Sequence, residues 1–259
     1  MKLNDRRRSM NNGNRKRRKL KCSVKLFIVS VLLVISVGML IKEQKQNQAL
    51  AQKVGAITEA NAKKKTQIES LKFERDFPQQ SYAQKTNEEL EKEQRSPYLI
   101  LQTDERYRDL HYGGGLRDTL DINGCAIASL TIVDSILKEA LTEPTVVLDW
   151  AKDDYFTDGG TSWAIFPAFA KEFDYEFEDL GDNIENALRY LDAGNPVVVS
   201  AKPGYFTTVG HIMVLTDYTD EGLRLLDPND NLRKQHSLTA YPVDEVKGEF
   251  MHYWGFKKP

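Results

Sequence analysis

Residues 26–41, LFIVSVLLVISVGMLI, are sixteen consecutive positions without a charge, flanked by RKRRKLKCSVK before and KEQKQNQ after. Extended to Ser23 and Val24, with Lys25 snorkelling its ammonium to the headgroups, the run comes near the ~17 to 20 residues that cross a bilayer as a helix. The pattern predicts a transmembrane signal-anchor over 26–41. From 42 to 95 the composition turns to Lys, Gln, Glu, Asn and Ala, and the few apolar positions (Val54, Ile57, Ile68, Leu71, Phe73) fall at broken helical spacing. That predicts a polar stalk, partly helical or disordered.

At Pro97 the chain changes to YLILQTDERY, and aromatic and β-branched residues become frequent. A folded domain is expected over 96–259. After the turn Gly113-Gly114-Gly115, the segment NGCAIASLTIVDSILKEAL repeats apolar residues at helical spacing through Ala128, Ile132, Ile136 and Leu137, with Asn123 as a candidate cap and Pro144 beyond the end. Cys125 then falls in the first turn. SWAIFPAFAKEF and NIENALRYLDAG read as further helices, the second stopped by Gly194. PVVVSA, HIMVLTDY, GLRLLDP and MHYWGFKK are short apolar or β-branched runs bounded by Gly, Pro and Asp, the pattern of buried strands. Helices followed by an antiparallel sheet give an α+β domain.

Charge sharpens this picture. Residues 1–25 hold eleven Lys and Arg against Asp5 alone, whereas residues 96–259 hold 14 basic and 28 acidic side chains. An acidic domain repels phosphate, so a nucleic-acid partner is not expected, and the basic tail over 1–25 is expected to stay on the cytoplasmic side of the membrane. The domain then lies outside the cell on a single-pass anchor. The alternative is secretion after cleavage near Ala51, where Ala49-Leu50-Ala51 offers a small-x-small site, several polar residues beyond the apolar run. Cys22 and Cys125 lie on opposite sides of the predicted span and do not suggest a disulfide. The histidines (His111, His211, His236, His252) show no metal-ligand spacing, so neither metal nor cofactor is expected.

A thiol becomes a strong nucleophile when held as thiolate, and a helix N-terminus beside an imidazolium lowers its pKa. Cys125 has the first of these, and Gly124 before it leaves the sulfur open to a carbonyl. His211 follows Gly210 at the start of a strand, and Asp227 ends the next strand before Pro228. An antiparallel hairpin brings those strands together, so the carboxylate can orient the imidazole. Counting from the turn at 219–222 sets Asp227 opposite Met213 to Leu215, so the approach to His211 must be diagonal, bulged or shifted. His236 and His252 read as surface or edge-strand residues, and Trp163, Phe166, Phe169, Phe173 and Trp254 as core or cleft wall.

The sequence segments QTDERYRDLHYG, NGCAIASLTIV, GNPVVVS and GHIMVLTDYTDEGLRLLDP, in that order, resemble the papain-like domain of the bacteriocin-processing peptidases that cut after double-glycine leaders, and above all their stand-alone exported relatives. The resemblance implies a papain-like cysteine peptidase fold, with a helical subdomain carrying the Cys and an antiparallel sheet carrying the His and Asp. It makes Cys125 the nucleophile, His211 the base, Asp227 the group that orients it, and Gln102 the oxyanion-stabilising amide. Where the family reads GCG this chain has Ala126, and no transporter spans or phosphate-binding loop occur in the sequence, so leader removal is not the expected task. The expected substrates are peptides or cell-wall peptides. A cell-wall amidase, a transglutaminase-like acyl transferase or a catalytically silent binding module are the alternatives.

Overall fold

The computed structural model describes the backbone of residues 3–259 and side chains from residue 22 onward. It divides into two compact units, 1–69 and 70–259. The described part of the first unit is helical: α1 runs Leu3–Asp76, and every side chain from Cys22 to Lys72 is exposed. Of the basic tail over 1–25, the side chains of residues 1–21 lie outside the described residues. Helix without interruption is more order than the broken apolar spacing predicts. Its source is composition, since Ala, Gln, Glu and Lys are strong helix formers and pairs such as Glu59 with Lys63, 2.8 Å apart, sit one turn from each other. One window of this helix, inside Cys22–Asp76, has a mean hydropathy of 2.7, long and apolar enough to cross a membrane.

The second unit starts before the expected boundary at 96. α2 (Pro78–Lys92) opens on Pro78, whose missing N–H costs nothing in a first turn. The next two donors, Gln79 N and Gln80 N, are satisfied at 3.0 and 2.9 Å by the Glu105 carboxylate. The helix buries Tyr82, Ala83 and Leu90. The last part of the stretch read as stalk is therefore packed polypeptide.

Six helices and seven strands follow. A single turn, α3 (Leu120–Asn123), leads into α4 (Cys125–Lys138) and α5 (Pro144–Ala151). A two-residue hairpin pairs β1 (Phe156–Thr157) with β2 (Gly160–Thr161), and α6 (Ile165–Glu172), β3 (Glu176–Gly181) and α7 (Ile184–Asp192) come next. β4 (Val197–Ala201), β5 (His211–Thr219), β6 (Gly222–Leu226), α8 (Val243–Val246) and β7 (Phe250–Lys257) complete the chain. Five strands form an antiparallel sheet in the order β3-β7-β4-β5-β6. On one face Val198, Ile212, Val214 and Trp254 pack with the apolar side of α4, α5 and α6. On the other, Val197, Val199, Met213 and Leu215 pack with Leu188 and Leu191 of α7. Alternation along each strand thus feeds two cores from one sheet.

Helix, sheet and their mixture follow the sequence expectation, and Gly194, at φ +78°, ends α7 in the left-handed conformation that favours glycine. Three local features differ. Asn123 does not cap α4; it belongs to α3, and its side-chain amide donates to Tyr112 O at 3.2 Å. Pro144 opens α5 rather than merely following α4. β3, with sequence EFEDLG, escapes notice because most of its side chains are exposed and charged.

Candidate active site

α4 approaches the sheet at β5, and Ser129 Oγ donates to Ile212 O at 3.2 Å, fastening the helix one residue from His211. Cys125, half-buried, is the first residue of α4. The cap is Gly124, which offers no side-chain acceptor, so the first-turn N–H groups remain free to face the sulfur. Gly124 is also required on packing grounds: a Cβ there would lie 2.5 Å from Leu120 O and 2.9 Å from Leu120 Cα. The glycine serves the tight α3–α4 junction, a different reason from the open approach inferred from sequence.

His211 is buried at the start of β5, paired with Ala201 on β4. Its Nε2 lies 2.6 Å from Asp227 Oδ1. With that nitrogen committed, the other is left for a further partner, and the imidazole lies near enough to Cys125 for each to act on the other's charge. The register explains how Asp227 reaches it. Val214 pairs with Leu226, which sets Asp227 level with Met213, two positions from His211, and the bulge in β5 lies between Leu215 and Asp217. The contact is diagonal across neighbouring strands.

Asp227 is fully buried and every oxygen has a donor. Oδ1 also accepts Asn229 N at 2.7 Å, and Oδ2 faces His236 Nδ1 at 2.8 Å. Burial alone would raise its pKa, but the His211 and His236 hydrogen bonds and the His211 charge outweigh it and hold the carboxyl well below the usual range. For His211 burial acts to lower the pKa; hydrogen bonds to Asp227 and Cys125, with the Asp227 charge, push it up to about 10. Burial likewise acts to raise the Cys125 thiol, yet the His211 hydrogen bond and charge, with the N–H groups of Ile212 and Ala126, bring it below the ordinary thiol value. All three shifts act toward the charged form of the group: thiolate, imidazolium, carboxylate.

Gln102 is buried and links the Asp227 side of the site to the Cys125 side. Its backbone N donates to Pro228 O at 2.9 Å, beside Asp227, while Nε2 reaches Asp121 O at 2.8 Å and Leu120 O at 3.4 Å, in the turn before Cys125. Oε1 is buried and has no partner among the described residues. The amide thus has one N–H firmly held and a second only weakly engaged.

His236 is not at the surface. It is 7% exposed, and its ring is bound to Asp227. His252 lies on β7, an inner strand rather than an edge, with Nε2 2.6 Å from Asp179 Oδ1 and its ring between Trp163 and Trp254. Spacing gave no sign of His236, because a loop, not a strand pair, returns it to Asp227. Asp227, Asp230 and His236 bring ligand-type atoms within 4.8 Å of one another. Donors already fill the group, however: Asp230 Oδ1 accepts Asn231 N and His236 N, and Oδ2 accepts Tyr82 Oη–H and Ser237 N. It is a hydrogen-bond network with no oxygen pair left for a cation.

The family model described as "Peptidase_C39 like family" matches residues 98–256. The chain belongs to that family. Membership places it among the cysteine peptidases. Two solved structures are similar to this C39-like peptidase: the peptidase domain of Streptococcus ComA, a bifunctional ABC transporter involved in a quorum-sensing pathway, and a C39-like peptidase from Bacillus anthracis. The first is 16% identical, covering 53% of this chain and 93% of the other with a TM-score of 0.42. The second is 15% identical, covering 53% and 90% with a TM-score of 0.34. No curated protein matches the chain.

Proposed function

We propose that this C39-like peptidase is an exported, membrane-anchored hydrolase that cleaves peptide or amide bonds with Cys125, His211 and Asp227. The observation that carries the reading is an imidazole near the Cys125 thiol whose Nε2 sits 2.6 Å from a buried carboxylate. The Cys125 thiolate attacks the carbonyl carbon, forming a C–S bond and an oxyanion. His211, as imidazolium, gives its proton to the leaving nitrogen as the C–N bond breaks, and then takes a proton from the water that hydrolyses the thioester, returning the free thiol and a carboxylate product. Asp227 stays charged and fixes the ring. The oxyanion is met by the backbone N–H of Cys125, and the weakly engaged N–H of Gln102 is the second donor; each is worth on the order of 3 kcal/mol in the transition state.

Anchoring rests on the apolar run of α1, where Leu26 and Phe27 are each 69% exposed among the described residues. Such a surface belongs in lipid. The eleven basic residues of the tail hold the N-terminus in the cytoplasm, which puts residues 70–259 outside. The domain's excess of acidic residues points to a peptide rather than a polyanionic substrate.

The test is a peptide-library digest with the full chain in detergent, wild type beside Cys125→Ala, with new termini mapped by mass spectrometry. Cleavage by wild type alone at a consistent sequence is the expected result. Identical product maps for the two proteins would leave a binding module as the better account, and amine-exchanged products without new carboxylates would indicate acyl transfer.

A further inference from the structure

We infer that His236 is a positioning residue of this active site: it pins the second oxygen of Asp227, and through Asp227 it sets the orientation of His211. The inference rests on the triad reading above and adds a member that the spacing along the chain does not reveal. The terminal torsion of an aspartate is broad and roughly two-fold, so a single hydrogen bond leaves the carboxylate free to swing. Here both oxygens are claimed, Oδ1 by His211 Nε2 at 2.6 Å and Asn229 N at 2.7 Å, and Oδ2, which neither of these holds, by His236 Nδ1 at 2.8 Å. With both ends held, the plane of the carboxylate is fixed, and so is the direction of the His211 ring.

His236 is itself held by more than its ring. Its backbone N–H donates to Asp230 Oδ1 at 3.0 Å and that of Ser237 to Asp230 Oδ2 at 2.8 Å. Asp227 N donates in turn to Ser237 Oγ at 3.2 Å. The turn at 236–238 is braced from α2 and the residues after it: Tyr82 Oη–H donates to Asp230 Oδ2 at 3.0 Å and Arg95 Nη2 to Ser237 O at 2.9 Å. The rings of Tyr205, Phe206 and Tyr241 enclose the imidazole, with centroids 6.2, 5.3 and 6.4 Å away. The titratable groups facing His236 are therefore Asp227 and Asp230, with Tyr205 and Tyr241. These bonds hold the 236–238 turn against Asp230, and the turn so held presents the His236 ring to Oδ2 of Asp227.

The test reads the pH profile of Cys125 alkylation by iodoacetamide in the full chain, with modification at Cys125 quantified by peptide mass so that Cys22 does not interfere. In His236→Ala, Asp227 swings and the His211 charge is no longer held against the sulfur, so the apparent pKa of Cys125 is expected to rise by about one unit. His236→Asn places an N–H where Nδ1 was and is expected to restore most of the shift. A role confined to packing predicts a lower melting temperature for His236→Ala with the wild-type pH profile, and that result overturns the inference. His211→Ala separates the two levels of the claim. If it raises the Cys125 value and a folded His236→Ala does not, His236 alone is wrongly assigned; if neither moves it, the triad reading falls and this inference with it. Should His236→Ala not fold, Tyr82→Phe takes its place, losing one hydrogen bond to Asp230; a smaller rise in the same direction supports the assignment, and an unchanged profile contradicts it.

Discussion

The sulfur and the carboxylate of this site occupy differently built surroundings. Cys125 stands at a helix start capped only by Gly124, with backbone N–H groups and one imidazole as its polar neighbours. Asp227 is enclosed, fully buried, with both oxygens bonded and its own N–H committed to Ser237. The difference matches the roles proposed for the two residues. A nucleophile has to leave its ground-state partners and meet a carbonyl, so few and weak bonds suit it; a group that orients others must not move, so redundancy suits it. Hydrogen bonds are concentrated around the carboxylate, which in the proposed reaction makes and breaks no covalent bond.

This contrast predicts unequal responses to substitution. The largest loss is expected at the sulfur: Cys125→Ala should reduce hydrolysis by at least ~10³-fold with the fold intact, checked by turnover and melting temperature together. At Asp227 the expected change is one of pH range. Asp227→Asn keeps a hydrogen-bonding side chain but removes the charge, so the His211 pKa, now about 10, should fall toward its ordinary value. Activity is then retained on the acid side, and its alkaline limb moves down by more than one pH unit. Stability follows the same signs. The raised His211 value contributes fully below ~6.5 and is lost as pH rises toward 10, and the depressed Asp227 value contributes above ~4 and is lost on acidification. The melting-temperature gap between wild type and Asp227→Asn should be widest between about pH 5 and 6.5 and close toward pH 10.

Smaller effects sharpen the contrast at the helix. In Gly124→Ala the new methyl meets Leu120 backbone atoms that cannot give way, so a loss of about 1 to 3 kcal/mol in stability is expected by chemical denaturation. Ser129→Ala removes the 3.2 Å tie between α4 and Ile212, and a few-fold drop in turnover with little change in KM is expected, since the hydrogen bond is worth about 1 kcal/mol. A larger effect from Ser129 than from Asp227 would show that the helix side, not the sheet side, is the rigid one.

Much of this was legible before any coordinates. Cys125 in a first turn, His211 at a strand start and Asp227 at the end of the paired strand are local features, written in apolar periodicity and in Gly and Pro punctuation. His236 was not legible, because its place beside Asp227 depends on a loop closure that no periodicity encodes, and on a brace from Tyr82, which lies 148 residues from Asp230. α2 was misread for the same reason: its composition is that of an exposed helix, and only Tyr82, Ala83 and Leu90 on one side show that it packs. The diagonal contact of His211 with Asp227 required the register, which a bulge beyond Leu215 leaves undisturbed near the site. Sequence carries the elements well and their long-range closures poorly.

The claim beneath all of these is that Cys125 and His211 share a proton as a thiolate–imidazolium pair at neutral pH. Titrating the ultraviolet absorbance of the Cys125 thiolate in Cys22→Ser protein, with and without His211→Ala, tests it directly. The account predicts thiolate appearing well below the ordinary thiol pKa of ~8.5 and shifting upward when the imidazole is removed. Thiolate that appears only near that ordinary value, at the same pH in both proteins, would contradict it.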